Sequence, residues 1–440
     1  MGKGFPHLLC SPAPPLPRSP APLLPCSPAP LLLCSPSSFF LLPSSFITKL
    51  MARIFISTGE VSGDLQGSLL TMSLKRLAAA TNLELEIVGL GGSRMAHAGA
   101  NILGDTAGIG SVGILESLPY ILPTLQLQRQ AKQYLQTQPP DLVVLIDYMG
   151  PNLSIGNYIR RRWPKVPIIW YIAPQFWVWS PPWQNTARIV SIADRFLAIF
   201  PEEADYLQKQ GANVTWVGHP LADRMETAPS RENARAALGI EGKQVAIALI
   251  PASRQQEIKY LMPAIFKAAQ IIQNKLPQVH FWIPLSREAL RQPIERAIEN
   301  YGLQATLLEG QTLDILAAAD LAIAKSGTVN LEIALLNVPQ VAIYSVNPVT
   351  YWLARNILKF SIPFMSPPNL ILRKLIVPEL LQEQASAENI VSIAMELLLN
   401  SERRGQMLAD YGEMRESLGG VGACDRAADV ILKLLTEACR

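Results

Sequence analysis

Two short segments combine small residues with charged ones at spacings that suit chemistry. Thr58-Gly59-Glu60-Val61-Ser62-Gly63-Asp64 follows an apolar run that reads as a strand, and Lys325-Ser326-Gly327-Thr328-Val329-Asn330-Leu331-Glu332 follows another. Each is a small-residue turn between a strand and a helix. Such turns bare backbone N–H groups at a helix N-terminus, where phosphate binds. One in each half of the chain implies two nucleotide-type domains facing a shared cleft. In the first turn, Gly59 and Gly63 permit close backbone approach and unusual φ. Glu60 and Asp64 repel phosphate but suit hydrogen bonds from sugar hydroxyls. The competing reading is a tight turn with Asp64 capping a helix. The segment is not GxGxxG and lacks an acidic partner at the right distance, which argues against a dinucleotide site.

Asp147 ends the apolar run 142–146. Open α/β sheets bind ligands at that strand edge. A partly desolvated carboxylate there has a raised pKa and suits general-base work; otherwise Asp147 caps the following loop. Pro151 and Asn152 are expected to keep the next segment extended. Five of the eight tryptophans lie between Trp163 and Trp183. An aromatic wall at Phe176, Trp177 and Trp179 suits a sugar ring or acyl chains, or ordinary packing. His219, in Gly218-His219-Pro220, is either a donor to a phosphate or leaving group, or a structural turn histidine.

In the second half, Pro251-Ala252-Ser253-Arg254 follows the first strand. Ser253 and Arg254 suit a diphosphate, Arg254 as a bidentate clamp. Ser326, Gly327 and Thr328 repeat that chemistry. Glu332, one turn beyond Thr328, is placed to take both hydroxyls of a ribose. Asn369 and Gln382 supply amides near the cleft; the bland alternative is a loop at Pro367 and a helix starting at Pro378.

These groups need elements to hold them. Short apolar runs alternate with helical stretches from residue 53 on. Expected strands are 53–58, 86–89, 142–146, 168–172, 196–200 and 214–217, then 245–250, 280–284, 306–308, 321–324 and 340–344. Most are continuous apolar runs, as in parallel sheets covered on both faces. A polar, Pro-containing linker at 227–230 precedes a helix with Ser230 as N-cap and Asn233 at capping-box spacing. The reading is α/β: two Rossmann-like domains, 51–226 and 227–410, and a C-terminal helix in 411–440 that returns to the first.

Residues 1–50 stand apart, with twelve of the 36 prolines, three of the five cysteines and Ser-Pro recurring at Ser11, Ser19, Ser27 and Ser35. A Pro-rich repeat has no continuous apolar face. The expectation is a segment outside the fold, with Met51 opening the folded part; a targeting extension is the rival. The net charge of +3 does not point to nucleic acid. The other two cysteines, Cys424 and Cys439, argue against a disulfide framework or zinc site and fit a reducing cytoplasm. No apolar stretch reaches the ~18 residues of a membrane span.

In this order, the segments resemble lipid-A-disaccharide synthase across nearly all of 52–437. The resemblance rests on Gly59 to Asp64, Gly113-Ile114-Leu115-Glu116, Ile146-Asp147, the Pro174 to Trp179 segment, Gly218 to Pro220, Ser253-Arg254, Ser326 to Glu332 and Pro368 to Leu370. It implies a GT-B fold, two Rossmann-like domains with parallel sheets around a central cleft. It also implies an inverting transfer without metal or cofactor, joining UDP-2,3-diacylglucosamine to 2,3-diacylglucosamine 1-phosphate. By the motif match Asp147 is the acid-base residue, and Arg254 and Asn369 match residues needed for activity or nucleotide binding. Ala252 stands where the family commonly has glycine, and Asn330 where it has a small residue. Such departures suit a divergent branch such as cyanobacterial or plastid relatives. A lipid substrate implies a peripheral enzyme on the inner membrane face. Arg160 to Lys165 and Trp352 to Phe360 mix cations with aromatics, as interfacial patches do, and 114–125 reads as an acyl channel or a core helix. A homodimer stays open. So do another GT-B UDP-sugar transferase or epimerase, and a catalytically silent lipid- or nucleotide-binding relative.

Overall fold

The computed structural model describes residues 51–106, 108, 118–178, 186–357 and 362–438. The Pro-rich segment, Gly113 to Glu116, Trp179, Trp183, Cys439 and residues 358–360 lie outside the described residues.

Two parallel sheets carry the chain. The first has strands β1 (Met51–Ser57), β2 (Glu84–Gly91), β3 (Asn101–Asp105), β4 (Leu142–Ile146), β5 (Ile168–Tyr171), β6 (Arg195–Ala198) and β7 (Val214–Trp216). The second has β8 (Val245–Ile250), β9 (Val279–Leu285), β10 (Ala305–Glu309), β11 (Leu321–Lys325), β12 (Gln340–Tyr344) and β13 (Glu379–Leu381). Their orders are β3-β2-β1-β4-β5-β6-β7 and β10-β9-β8-β11-β12-β13. Counted from each sheet's own first strand, both begin 3-2-1-4-5-6, the doubly wound Rossmann order. The molecule is a GT-B-like pair of Rossmann domains flanking a cleft.

Burial explains why the central strands form where they do. Every residue of β4 and β11 is buried. Helices cover both faces, so each strand must be apolar on both, and each fully buried Leu or Ile adds about 1.5–3 kcal/mol of burial free energy. The edge strands β3 and β13 are only half-buried; they were not among the expected strands. The segment expected as a helix at Pro378 is β13, and the expected loop at Pro367 is the helix Pro367–Leu372 with Ser366 as N-cap residue. The segment after Asp147 is not extended. It enters the helix Met149–Arg162 directly.

The repeated order fixes where the motifs meet. In each sheet the strand order reverses beside the first strand, between β1 and β4 and between β8 and β11. Ligands of such sheets bind outside the strands' carboxyl ends at that switch point. The Gly59–Asp64 turn follows β1 and Asp147 follows β4. Ser253-Arg254 follows β8 and Ser326 to Thr328 follow β11. All four segments sit at a switch point.

The chain ends on the helix Ala423–Ala438, which packs against the helix Val61–Ala80. Asp223 caps it, accepting from the amides of Gly422 at 2.6 Å, Ala423 at 3.0 Å and Cys424 at 2.7 Å. Arg76 pairs with Asp425 beside it. Arg426 Nε donates to the Val217 carbonyl at 2.8 Å. Gly218 beside it has φ +84°, and a Cβ there would stand 2.8 Å from Arg426 Nη2, so only glycine suits the position.

Candidate active site

A cavity of about 360 Å³ lies between the sheets, and its walls come from both halves of the chain. Glu60, Arg94, Asp147 and Arg224 line it from one side; Ser253, Arg254, Lys325, Gly327, Thr328 and Glu332 line it from the other. A smaller cavity of about 80 Å³ shares Ser62, Asp147, Gln175 and Thr328 with it and reaches His219.

Asp147 stands where the two cavities meet. Its backbone has φ +50°, followed by Tyr148 at φ +20°, and Ile172 on the neighbouring strand end has φ +59°. Three non-glycine residues in left-handed conformation at one sheet edge store strain that the surroundings must hold. Asn152 does part of this: its side-chain amide donates to the Ile146 carbonyl at 2.9 Å and the Asp147 carbonyl at 3.0 Å. Asp147 N–H donates to the Ile172 carbonyl at 3.0 Å. Burial, and then the Glu60 charge, push the Asp147 carboxyl up to about 7. That is the range in which a carboxylate works as a base near neutrality.

The unusual φ expected at Gly59 and Gly63 belongs to Asp147 and Tyr148 instead. Gly59 is needed for a close approach: a Cβ there would lie 2.0 Å from the Tyr148 ring. Asp64 is a correction. It is 3% exposed and takes no place in the cavity wall. Its carboxylate accepts from the backbone amides of Gly92 at 2.7 Å, Arg94 at 3.1 Å and Met95 at 3.1 Å, capping the helix Ser93–His97. A carboxylate held by three amides has its acceptor sites spent on the fold. The capping reading holds, although the helix capped is not the one in which Asp64 lies.

His219 is also a cap. Its Nδ1 accepts from Leu221 N–H at 3.1 Å, and burial pushes the imidazole down to about 3. A neutral ring of that kind keeps Nε2–H as a hydrogen-bond donor but is no proton donor of acid strength.

On the second sheet, Arg254 Nη2 lies 2.5 Å from Glu60 across the cleft, and Arg254 Nη1 lies 3.1 Å from Glu257. Burial alone would lower the guanidinium, but Glu60 and Glu257 outweigh it and hold it above its ordinary value. Glu257 organises this corner. It accepts from Ser253 N–H at 2.5 Å, Ser253 Oγ at 3.2 Å and Arg254 N–H at 3.0 Å. Lys325 is 3.8 Å from it, buried, and lowered by that burial. Glu257 and Lys325 were not in the expected site. Glu257 had a signal, since it lies at capping-box spacing from Arg254. The backbone amides of Ser253 and Arg254 are therefore spent on Glu257. Ala252 is not among the positive-φ residues, so alanine sits in this turn without backbone strain.

Ser326 Oγ donates to the Met365 carbonyl at 2.8 Å, and Gly327 N–H donates to Asn330 Oδ1 at 2.7 Å. Thr328 and Val329 line the cavity at the start of the helix Val329–Leu335. Glu332 is 5% exposed and lies 2.9 Å from Arg224 Nη1 of the first half. Burial raises its carboxyl, with Arg224 and Arg94 opposing.

Asn369 and Gln382 are further corrections. Asn369 is fully buried; its amide donates to Val377 O and Glu379, and its oxygen accepts from the Ile376 and Val377 amides. Gln382 exchanges two bonds with the Val346 backbone, at 2.8 and 3.3 Å. Both amides tie loops together rather than face the cavity. The described aromatics mostly pack. Trp170 stacks on Phe196 at 6.4 Å, Trp177 meets Phe200 at 5.8 Å, and Phe176 is buried. Arg160 is spent on Asp194 and on the carbonyls of Pro164, Val166 and Ile192. The residues Ile121, Leu122 and Leu125, expected in a channel or core helix, are exposed.

Comparison with known proteins places this cleft in context. The family model described as lipid-A-disaccharide synthetase matches residues 54–434. A lipid-A-disaccharide synthase of Gloeothece citriformis is 59% identical over 380 residues, covering 86% of this chain and 99% of the relative. One from a Synechocystis species is 57% identical over 383 residues, covering 87% and 97%. Among solved structures, the S. aureus MnaA–UDP co-structure superposes with a TM-score of 0.59 at 17% identity, covering 88% of this chain and 97% of that one. The Neisseria meningitidis UDP-GlcNAc 2-epimerase bound to UDP-GlcNAc gives 0.53 at 13%, covering 88% and 100%. At such identities these two share the fold.

Proposed function

Because the chain belongs to the lipid-A-disaccharide synthase family, we propose that this cleft performs the family's glycosyl transfer with Asp147 as base and the second sheet as nucleotide holder. The enzyme is a hexosyltransferase of lipid A biosynthesis. Its reaction condenses UDP-2,3-diacylglucosamine with 2,3-diacylglucosamine 1-phosphate to a β-1,6 disaccharide and UDP. The observation that carries the assignment is the position of Asp147. Its carboxyl, raised to about 7, shares one cavity wall with Glu60 and faces Arg254, Lys325, Thr328 and Glu332 across the cleft.

The chemistry follows from that layout. Arg254 and Lys325 take the diphosphate, displacing Glu60, and stabilise the charge that grows on the leaving UDP. Fixed cations at a developing charge are usually the largest catalytic contribution. Glu332 accepts from the ribose hydroxyls. Asp147 removes the proton from the acceptor 6-hydroxyl as that oxygen attacks the anomeric carbon from the face opposite the diphosphate. The UDP ligand of the S. aureus relative, on the same fold, supports a nucleotide in this cleft.

The lipid substrates call for a membrane surface. Among the described residues no helix is long and apolar enough to cross a membrane. Leu118, Ile121, Leu122 and Leu125 form one exposed apolar stretch; Val349, Trp352 and Ile357 form another, near Arg355. These are the surfaces proposed to rest on the inner leaflet. The direct test is disaccharide formation from the two lipids. With it goes Arg254→Ala, expected to weaken UDP binding by about 1.5–3 kcal/mol in calorimetry, the range for a hydrogen bond to a charged group. Unchanged UDP affinity would remove Arg254 from the nucleotide site.

A further inference from the structure

Two arginines on the first-sheet side of the cleft have no part in the chemistry above. Arg94 stands on the helix Ser93–His97 and Arg224 on the helix Pro220–Glu226, and both line the cavity. They are near enough to feel each other: burial lowers the Arg94 guanidinium, Arg224 lowers it further, and Asp64 and Glu332 oppose. Asp64 is already committed to three backbone amides. Its charge still acts on Arg94, so Glu332 is the carboxylate that pairs with Arg224 and shares the balance at Arg94. Its contact with Arg224 is an ion pair at 2.9 Å without hydrogen-bond alignment, and its Oε1 is buried with no hydrogen-bond donor among the described residues.

Binding of the donor substrate changes this balance. When Glu332 turns to ribose hydroxyls, Arg224 loses its ion-pair partner, and two half-buried guanidinium groups face the cavity with the Asp64 carboxylate alone beside Arg94. Like charges in a low-dielectric cleft repel strongly, and a buried charge left unpaired is costly. A second anion is needed, and the diphosphate cannot supply it, because Arg254 and Lys325 hold that group on the other wall. The acceptor sugar carries a phosphate monoester. Guanidinium forks match phosphate oxygens in geometry and charge. We propose that Arg94 and Arg224 form the subsite for the acceptor's 1-phosphate, and that Glu332 holds that place until the nucleotide withdraws it. This deepens the transferase reading and rests on it.

The test compares two acceptors, 2,3-diacylglucosamine 1-phosphate and unphosphorylated 2,3-diacylglucosamine. The unaltered enzyme should prefer the first. Arg224→Ala and Arg94→Gln should each lower kcat/KM for the phosphorylated acceptor by about 10- to 100-fold, as loss of a charged hydrogen bond does. The rate with the unphosphorylated acceptor should fall far less than that, and Arg224→Lys should recover part of the preference. Equal loss with both acceptors, or no loss with either, overturns the subsite. Should Arg94→Gln lose its thermal transition, Arg224→Ala decides, since among the described residues the Arg224 side chain makes an ion pair to Glu332 and no hydrogen bond. If the unaltered protein turns over neither acceptor, the transferase reading has failed. The subsite is then judged by calorimetry with glucosamine 1-phosphate in the presence of UDP. Binding that Arg224→Ala abolishes sustains it, and binding that the substitution leaves intact refutes it.

Discussion

Asp147 and Asp64 show how one residue type takes opposite roles within one cleft. Both lie just beyond the carboxyl end of an apolar strand, Asp64 in the first turn of the helix Val61–Ala80 and Asp147 directly after β4. Asp64 is held by three amides; Asp147 is held in a strained backbone with its carboxyl toward the cavity. Asp147→Asn keeps the shape and removes the basicity, so kcat should fall by about 10²–10⁴, the usual share of general acid–base catalysis. The base must be ionised, so kcat/KM of the unaltered enzyme should rise with pH through about 7, and that limb should vanish in the variant. Stability should show the opposite sign. A carboxyl raised in the folded state binds its proton more tightly there, so its contribution favours the fold at low pH and is lost as pH rises through about 7. Thermal melts of Asp147→Asn should therefore gain on the unaltered protein above that pH. Asp64→Ala should do the reverse of Asp147→Asn in assay and melt. It leaves amides of a buried turn unpaired, costing about 1–3 kcal/mol of stability in urea titration, with kcat per folded molecule nearly kept. A collapse of kcat at full stability would return Asp64 to the reaction.

At the scale of elements, the same logic joins pieces far apart in sequence. The final helix begins on the Asp223 carboxylate, some 200 residues upstream, through three amides. Asp223→Ala should cost about 1–2 kcal/mol, the usual loss for an N-cap. Hydrogen exchange should quicken first in Ala423–Ala438 and in the helix Val61–Ala80 beneath it; uniform exchange across the molecule would argue against a local cap. Such contacts mark the limit of what the sequence reveals. The β4, β8 and β12 spans were legible to the residue, because strands buried on both faces leave continuous apolar runs. The edge strands β3 and β13 were not, because Gly104 and Asp105 in one and Glu379 in the other cut their apolar residues to two or three. The turns after β1, β4, β8 and β11, which line the cavity, were legible because small and charged residues there mark strand ends. Asn369, Gln382 and Asp64 were misplaced for a common reason. An amide or carboxylate looks the same in sequence whether its partner is a ligand or a backbone brought in from elsewhere. Arg94 and Arg224 were missed because neither lies in a motif; only the sheet order brings them to Glu332.

Across the whole molecule, two Rossmann halves with the same strand order turn their switch points toward one cavity, and ion pairs of opposite polarity bridge it. Glu60 of the first half meets Arg254 of the second; Arg224 of the first meets Glu332 of the second. In each pair the second-half residue is one assigned to the nucleotide, and its partner has the charge opposite to it. In the proposed nucleotide site Glu60 stands at Arg254 where a diphosphate oxygen would, and a nucleotide binding there would displace it. Around Arg254 the charges of Lys325, Glu257 and Glu60 already balance, so two negative charges cannot enter while Glu60 stays. Glu60→Gln removes the competitor but keeps its size. A partly exposed ion pair is worth up to about 1 kcal/mol. UDP should therefore bind about 2- to 5-fold tighter to the variant in calorimetry at low salt, and the difference should shrink as salt screens the pair. The rate of transfer should respond separately. With Glu60 neutral, Asp147 loses the neighbour that helps hold its proton, so the acid limb of kcat/KM should move below its position in the unaltered enzyme. If UDP affinity stays the same while kcat collapses, Glu60 touches the sugar rather than guarding Arg254, and the closed cleft is not a substrate-displaced state.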